Sequence, residues 1–383
     1  MIYGKLCADC CGPGGSWRGS TTPRRFCRIG QGHLSDVGFE QLHCHIPALG
    51  ATVRRREFIG LAVGGAASWP LAALAQQDGS HRMPTIGFIG FASAAADVTI
   101  VQPFRKTLAE IGYVEGRNIT VEIRNADGDV ERGHAIIDEF VAMQVDVLFA
   151  PGPAAARAAA RKTKLPVVAI ALPAVQSDPE LFQSLARPGG TVTGFSAFGE
   201  EMSAKRIAVL KEILPGLIKL GVMHNATDPT FSAWGAQTMA DTGKLGIEPI
   251  RAGLTAPTPS QVTEQIGKLA EAGGTAMIVI RDYMTAAAIK DICRIGVEMQ
   301  VAVVGEQAEF AQAGALFSYG ADIVDLSRRA AGYADQIIKG QKPSEMPIQL
   351  PTKFEMVVNL KTARALGLTI PPTVLVQTDQ VIE

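Results

Sequence analysis

From residue 84 onward, short apolar runs alternate with longer stretches in which apolar residues recur every three or four positions. The run Pro84-Thr-Ile-Gly-Phe-Ile-Gly-Phe91 is bounded by turn residues and predicts a buried strand. Over 97–112, Val101, Phe104, Leu108 and Ile111 share one face, which predicts a helix that Gly112 ends. Ile119, Val121 and Ile123 alternate over 118–124, a second strand. The same rhythm predicts helices over 130–144 and 154–164 and strands over 145–150 and 166–172. It then resumes, with helices over 200–214, 231–245, 286–299 and 322–339 and strands over 219–224, 248–252, 275–280, 301–304 and 315–319. Thr258-Pro259-Ser260-Gln261 opens another helix, with Thr as cap, Pro in the first position and Gln in the third.

Strands that alternate with helices pair in parallel and carry helices on both sheet faces. The fold class is therefore α/β, with two Rossmann-like lobes of similar size. The chain is expected to cross first between Pro188-Gly189-Gly190-Thr191 and Ser196, then near Tyr319 and near Met346. That divides it into 83–195 with 320–345 as lobe 1, and 196–319 with 346–383 as lobe 2. Several crossovers make a hinge, because few backbone bonds need to rotate for the lobes to close.

The segment before residue 84 follows other rules. Five of the six cysteines (Cys7, Cys10, Cys11, Cys27, Cys44) lie within the first 44 residues. Residues 1–52 show no sustained period. Cys7 and Cys10 with His43 and His45 lack the second spaced pair and folded scaffold that a zinc site needs, so no metal is expected. Arg54-Arg55-Arg56-Glu57-Phe58-Ile59 is a twin-arginine basic region, followed by a small-residue apolar run and Ala73-Leu74-Ala75. Together these form an export signal over 53–75, cleaved after Ala75 and directing the chain to the periplasm. The run is too short and Gly/Ala-rich for a permanent span. A signal acts from the N-terminus, so residues 1–52 read as a disordered gene-model extension ahead of a true start at Val53. The mature chain then holds one cysteine, Cys293, and no intramolecular disulfide.

Composition narrows the function. With 36 basic and 37 acidic residues, the chain has no global pull towards nucleic acid or anionic membrane. Aromatics at 6% argue against a broad stacking platform for single strands or glycans. There is no G-x-G-x-x-G after the first strand, no G-x-x-x-x-G-K-[ST], no H-E-x-x-H and no G-x-S-x-G, so no cofactor or nucleophile is marked.

Ligands of open α/β sheets bind beyond the carboxyl ends of the strands. Those ends present Phe91-Ala92-Ser93, Pro151-Gly152-Pro153-Ala154 and Pro173-Ala174 in the first lobe. In the second they present Asn225, Arg281-Asp282-Tyr283 and Gly305-Glu306, with Ser318-Tyr319-Gly320 near a crossing. Ser93, Asn225 and the amides opening the Gly152-Pro153-Ala154 helix suit a carboxylate. Asp282 and Glu306 suit an ammonium. Tyr283, Tyr319 or Phe91 suit an apolar side chain. Structural roles compete with each: Ser93 and Asn225 as turn caps, Asp282 as a helix N-cap, Tyr319 as hinge packing. His134 and His224 stand alone and read as structural.

Several strings resemble a known family. They are Gly112-Tyr-Val-Glu-Gly-Arg-Asn118, Ser184-Leu-Ala-Arg-Pro-Gly-Gly-Thr-Val-Thr-Gly194, Lys205-Arg206 with Leu210-Lys-Glu212, Ser318-Tyr-Gly320, Ile337-Ile-Lys-Gly340, Pro351-Thr-Lys-Phe354, Asn359-Leu-Lys-Thr-Ala363 and Leu366-Gly-Leu-Thr-Ile-Pro-Pro372. They cover nearly all of 83–383 and resemble the ABC transporter substrate-binding proteins of the tryptophan/tyrosine-binder type. The resemblance implies a type I periplasmic binding fold, a cleft ligand, no catalysis, and an inner-membrane permease and ATPase as partners. The family's Asp-Pro-Val near the fourth strand is replaced by Ala171-Leu-Pro-Ala-Val-Gln-Ser-Asp178-Pro179-Glu180, so a different pocket floor is expected. The leading expectation is an exported protein that captures an amino-acid-like solute by hinge closure. The alternative is a two-lobed hydrolase or isomerase with Glu306 as acid or base. A third, the sensing domain of a regulator, would need a DNA-binding helix pair or a span.

Overall fold

The computed structural model describes residues 82–175, 178–197 and 199–383. The expected export signal, the preceding extension and the cysteine-rich stretch lie outside them. The first lobe is built from β1 (Thr85–Gly90), α1 (Ala94–Glu110), β2 (Thr120–Asn125), α2 (Val130–Ala142), β3 (Val147–Pro151), α3 (Pro153–Lys162), β4 (Val167–Leu172) and β5 (Val192–Ser196). Its sheet runs β2-β1-β3-β4-β5, parallel throughout. In β1 the alternation is literal: Ile86 and Phe88 face the core that includes Ile100 and Phe104 of α1, while Ile89 faces Phe140 of α2.

The second lobe contains α4 (Gly199–Ile213), β6 (Lys219–Asn225), α5 (Pro229–Lys244), β7 (Glu248–Leu254), α6 (Pro259–Glu271), β8 (Ala276–Val279), α7 (Tyr283–Ala287), α8 (Ile289–Glu298), β9 (Ala302–Gly305), α9 (Ala308–Ala313) and β10 (Phe317–Ala321). Then α10 (Ile323–Ile338) returns to the first lobe. There Leu326, Ala330, Ala334 and Ile337 join the core of Ile100, Phe104 and Phe149. Finally β11 (Phe354–Asn359), α11 (Leu360–Ala365), α12 (Pro372–Leu375) and β12 (Gln380–Ile382) complete a second sheet of order β12-β11-β10-β9-β8-β6-β7. It is parallel except where β11 runs antiparallel to β10.

Local chemistry sets several helix starts. Thr258 accepts from the Gln261 amide at 3.4 Å with Pro259 in the first turn, as its sequence predicts. The single helix expected over 286–299 is two helices. Asp282 and Thr285 form a capping box that starts α7 at Tyr283, and Ala288 separates α7 from α8. The segment expected to be only a crossing, 192–196, forms strand β5. Gly194 within it has φ of +140°, and a Cβ there would lie 1.8 Å from the Ala169 carbonyl oxygen. Gly194→Ala is therefore expected to part β4 from β5 and lower stability by at least about 2 kcal/mol, read by thermal unfolding.

Three crossings lie side by side. The Ser196 amide donates to Gln349 at 2.9 Å, the Gln349 amide to Gly194 at 2.9 Å, and the Asp322 amide to Lys353 at 3.1 Å. Met346 and Ile348 are buried among first-lobe residues. Lys353 pairs with Asp325 at 2.7 Å, and the Arg329 guanidinium lies 4.6 Å from the Phe195 ring centre. The connectors are thus adjacent and bonded to one another, the first and third running parallel and the second antiparallel to the third.

Candidate functional site

The carboxyl ends of both sheets border one narrow cavity. From the first lobe come Phe91, Asp97, Ala171 and the start of α3 at Gly152, Pro153 and Ala154. From the second come Phe231 and Trp234 of α5, then Arg281, Asp282 and Tyr283 after β8, and Glu306 after β9.

The start of α3 is built for an acceptor. Gly152 takes a φ of +84°, supplies no side-chain cap and leaves open space where a Cβ would stand. Pro153 has no amide hydrogen, and the amides of Ala154 and Ala155, in the first turn, have no carbonyl four residues back in the helix to bond. Ala171 also has a left-handed φ, +56°, where the pairing of β4 with β5 shifts register beside the cavity.

Asp97 was not selected from the sequence, yet it lines the cavity and is 2% exposed. One of its oxygens accepts from Asn125 Nδ2 at 2.6 Å. Burial raises its pKa to about 6, against the Arg281 charge and the Asn125 hydrogen bond, which lower it. A signal for Asp97 exists: it shares the helical stripe of Ile100, Phe104 and Leu108, an acid on an otherwise apolar face, although its place in the first turn also suits the helix dipole.

Arg281 is the facing group. Its Nε donates to Glu309 at 2.8 Å, its side chain is 10% exposed, and its Nη2 is a buried donor without a hydrogen-bond partner. The Trp234 Nε1 is a second such donor. Trp234 stacks on Phe231 with ring centres 6.1 Å apart. Across the lobes, Phe91 meets Tyr283 edge to face at 6.0 Å. Four aromatic side chains therefore border a cavity that holds an acid from one lobe and a base from the other.

The sequence-selected residues divide into two groups. Gly152, Pro153, Ala154, Asp282, Tyr283 and Glu306 line the cavity; Ser93, Pro173, Asn225 and Tyr319 do not. The Ser93 hydroxyl caps α1, accepting from the Ala96 amide at 3.3 Å. Asn225 accepts from the Thr227 amide and donates to Asp282 at 2.5 Å. Tyr319 lies under Lys205, with the ammonium 4.8 Å from its ring centre, and its carbonyl accepts from Arg206 Nε at 2.6 Å. Pro173 is buried just past β4, and neither His134 nor His224 reaches the cavity.

Two of the expected ammonium acceptors are engaged within the second lobe. Asp282 accepts from the Thr285 amide at 2.8 Å and from Asn225, and burial raises its pKa to about 6. Glu306 lies 3.1 Å from the guanidinium of Arg206, and it accepts from the Arg281 amide at 3.2 Å. Arg206 is 1% exposed and shares the core-facing stripe of Met202, Leu210 and Ile213 on α4. A buried arginine on an apolar stripe implies a buried anion, and that signal points to Glu306.

Two α/β lobes with parallel or mainly parallel sheets, three adjacent crossings and a cavity at the strand tips define a type I periplasmic binding fold. A protein from Streptococcus pneumonia, described as the ABC domain in complex with L-Trp, shares this fold with a TM-score of 0.73 at 23% identity, covering 79% of this chain and 100% of that one. A substrate binding protein with adhesive properties from Clostridium difficile, in its ligand-free, open structure, has a TM-score of 0.57 at 24% identity over 78% and 99% of the two chains. A tyrosine-binding protein of Clostridioides difficile is 26% identical over 271 residues, 69% of this chain and 75% of that protein. The sequence model of the ABC transporter substrate binding proteins matches residues 85–382, and the chain belongs to that family.

Proposed function

We propose that this protein is the exported capture component of an ABC importer and that it binds an amino-acid zwitterion, preferably aromatic, between its lobes. The carrying observation is the pairing across one narrow cavity of Asp97 from the first lobe and Arg281 from the second, with Phe91, Phe231, Trp234 and Tyr283 around them. Asp97 takes the ammonium. Arg281 Nη2 and the amides opening α3 take the carboxylate, and the rings enclose the side chain. Ligand bridges both lobes, so it binds the closed form better than the open form and draws the lobes together. The closed protein then delivers its solute to an inner-membrane permease driven by its ATPase. The tyrosine-binding relative and the L-Trp complex support the ligand class.

This assignment moves the ammonium from Asp282 and Glu306 to Asp97, because both Asp282 oxygens accept hydrogen bonds within their lobe and Glu306 is ion-paired with Arg206, whereas Asp97 accepts through one oxygen, from the neutral Asn125 amide. The same pairing weighs against an enzyme. A general acid or base needs a free proton site at the reacting atom, and Arg206 and the Arg281 amide hold the Glu306 carboxylate. The Arg54-Arg55-Arg56 signal, cleaved after Ala75, supports delivery to the periplasm. No helix among the described residues is long and apolar enough to cross a membrane.

Calorimetry against the common amino acids is expected to show saturable binding of tyrosine, tryptophan or phenylalanine, and much weaker binding of their decarboxylated amines. Tight binding of a neutral sugar or polyol with no response to any amino acid would overturn the ligand class.

A further inference from the structure

The segment after β4, where the sequence departs from the family pattern, places Asp178 against Arg157 of α3. Arg157 Nε and Nη2 both donate to Asp178 Oδ2, at 2.9 and 2.7 Å. Its Nη1 crosses to the second lobe and donates to Asp228 Oδ2 at 3.0 Å. Nη2 also bonds the Thr230 hydroxyl, which itself lies 3.1 Å from Asp178 Oδ2. The side chains of Arg157, Asp178 and Asp228 are 13%, 6% and 10% exposed. None of these four residues lines the ligand cavity.

The helices they join do line it. α3 supplies Pro153, Ala154 and Ala155 to one wall, and Arg157 stands on the following turn. α5 supplies Phe231 and Trp234 to the other wall, and Asp228 is its N-cap, accepting from the Thr230 amide at 2.8 Å. We infer that Arg157 is the positioning residue of lobe closure: its one guanidinium bridges the carboxylates of both lobes and registers the carboxylate-binding start of α3 against the aromatic wall of α5. The inference rests on the hinge-closure reading above.

The electrostatics suit a latch that engages and releases. With the lobes apart, Arg157 keeps Asp178, while Asp228 keeps its place at the positive end of α5 and regains water. On closure, Coulomb attraction and desolvation largely cancel, so the contact specifies a geometry without locking it. The arrangement needs a planar fork that serves two carboxylates at once, which a lysine ammonium on a flexible stem does not reproduce.

Two variants test this. Arg157→Lys keeps the charge and loses the fork; Asp228→Asn keeps a good N-cap and loses the cross-lobe charge. Small-angle scattering of the ligand-free protein is expected to shift towards a more open form in both. Amino-acid affinity is expected to fall about tenfold in each, mainly through faster dissociation, since close interfacial charge pairs couple by about 1.5 kcal/mol or more. The double variant is expected to lose less than the sum of the singles. Ligand-free scattering identical in wild type and both variants, or strict additivity, would overturn the latch. Scattering needs no ligand, so it judges Arg157 even if calorimetry finds no amino acid bound. Thr230→Val gives a third, uncharged disturbance of the same cluster should either charge variant fold poorly.

Discussion

Arg281→Gln is expected to weaken amino-acid binding by roughly 30- to 5000-fold, as truncating one partner of a buried charge pair costs about 2–5 kcal/mol. The side chain sits at the tip of β8 and is anchored by Glu309 at 2.8 Å, so the guanidinium is held before ligand arrives. That anchoring leaves Nη2 as a buried donor without a hydrogen-bond partner, a state that is costly until an acceptor enters. Glutamine ends two bonds short of the Nη2 position and has neither the charge nor the second donor arm. It also leaves Asp97 without the nearby positive charge that favours its ionised form. Arg281→Lys is expected to lose less, about tenfold, because charge survives and only the planar geometry goes. Calorimetry reads both losses, and thermal unfolding of the ligand-free variants verifies that the fold persists. Wild-type affinity in Arg281→Gln would remove the carboxylate from this arm of the site.

Acidification should separate ligand binding from stability. Burial raises the pKa of both Asp97 and Asp282 to about 6. The ammonium of an amino acid needs Asp97 ionised, so affinity is expected to be flat from about pH 7 up to the range where the ligand's own ammonium loses its proton, and to fall up to about tenfold per unit below about 6. Asp97→Asn should bind weakly at every pH, with this dependence largely removed. Stability runs the other way. Between the ordinary value of 3.8 and about 6, the folded chain binds more protons at these two sites than the unfolded chain does. Their contribution to stability is therefore complete below 3.8 and is lost as pH rises through about 6. For the ligand-free protein, these two sites should favour folding more at pH 5 than at pH 7, while the melting shift caused by ligand should shrink. Thermal scans with and without ligand across this range test both signs at once. An affinity that rises on acidification would exclude Asp97 as the ammonium partner.

Much of the fold was legible because its rules are local. A period of two over 118–124 or of three to four over 97–112 reports which side of an element meets a core, whichever core that is. Capping is equally local, as at Thr258, where hydroxyl, Pro259 and Gln261 lie within one turn. The helix break at Ala288 escaped because Asp282 and Thr285 form their box ahead of a stretch whose apolar period runs on without interruption. Strand β5 escaped because its glycine and proline flank resembles a linker, and its place beside β4 comes from a pairing about two dozen residues away.

The site divides along the same line. Strand-tip logic alone brought Gly152, Pro153, Ala154, Asp282, Tyr283 and Glu306 to the cavity wall. Asp97 was visible in principle, as an acid on an apolar stripe. The partners were not visible. Arg206 meets Glu306 a hundred residues on, Asn225 turns Asp282 inward, and Arg157 reaches Asp178 and Asp228 in different lobes.

The sequence by itself determined the α/β rhythm, the two lobes and the strand ends at which a ligand would sit, because each follows from residues close along the chain. Only the tertiary structure decided that Asp97 joins Asp282 and Glu306 at the cavity and which groups hold each of them. A charge buried beside a cavity is defined by its nearest partner in space, and here those partners come from distant elements that meet only once both sheets have folded.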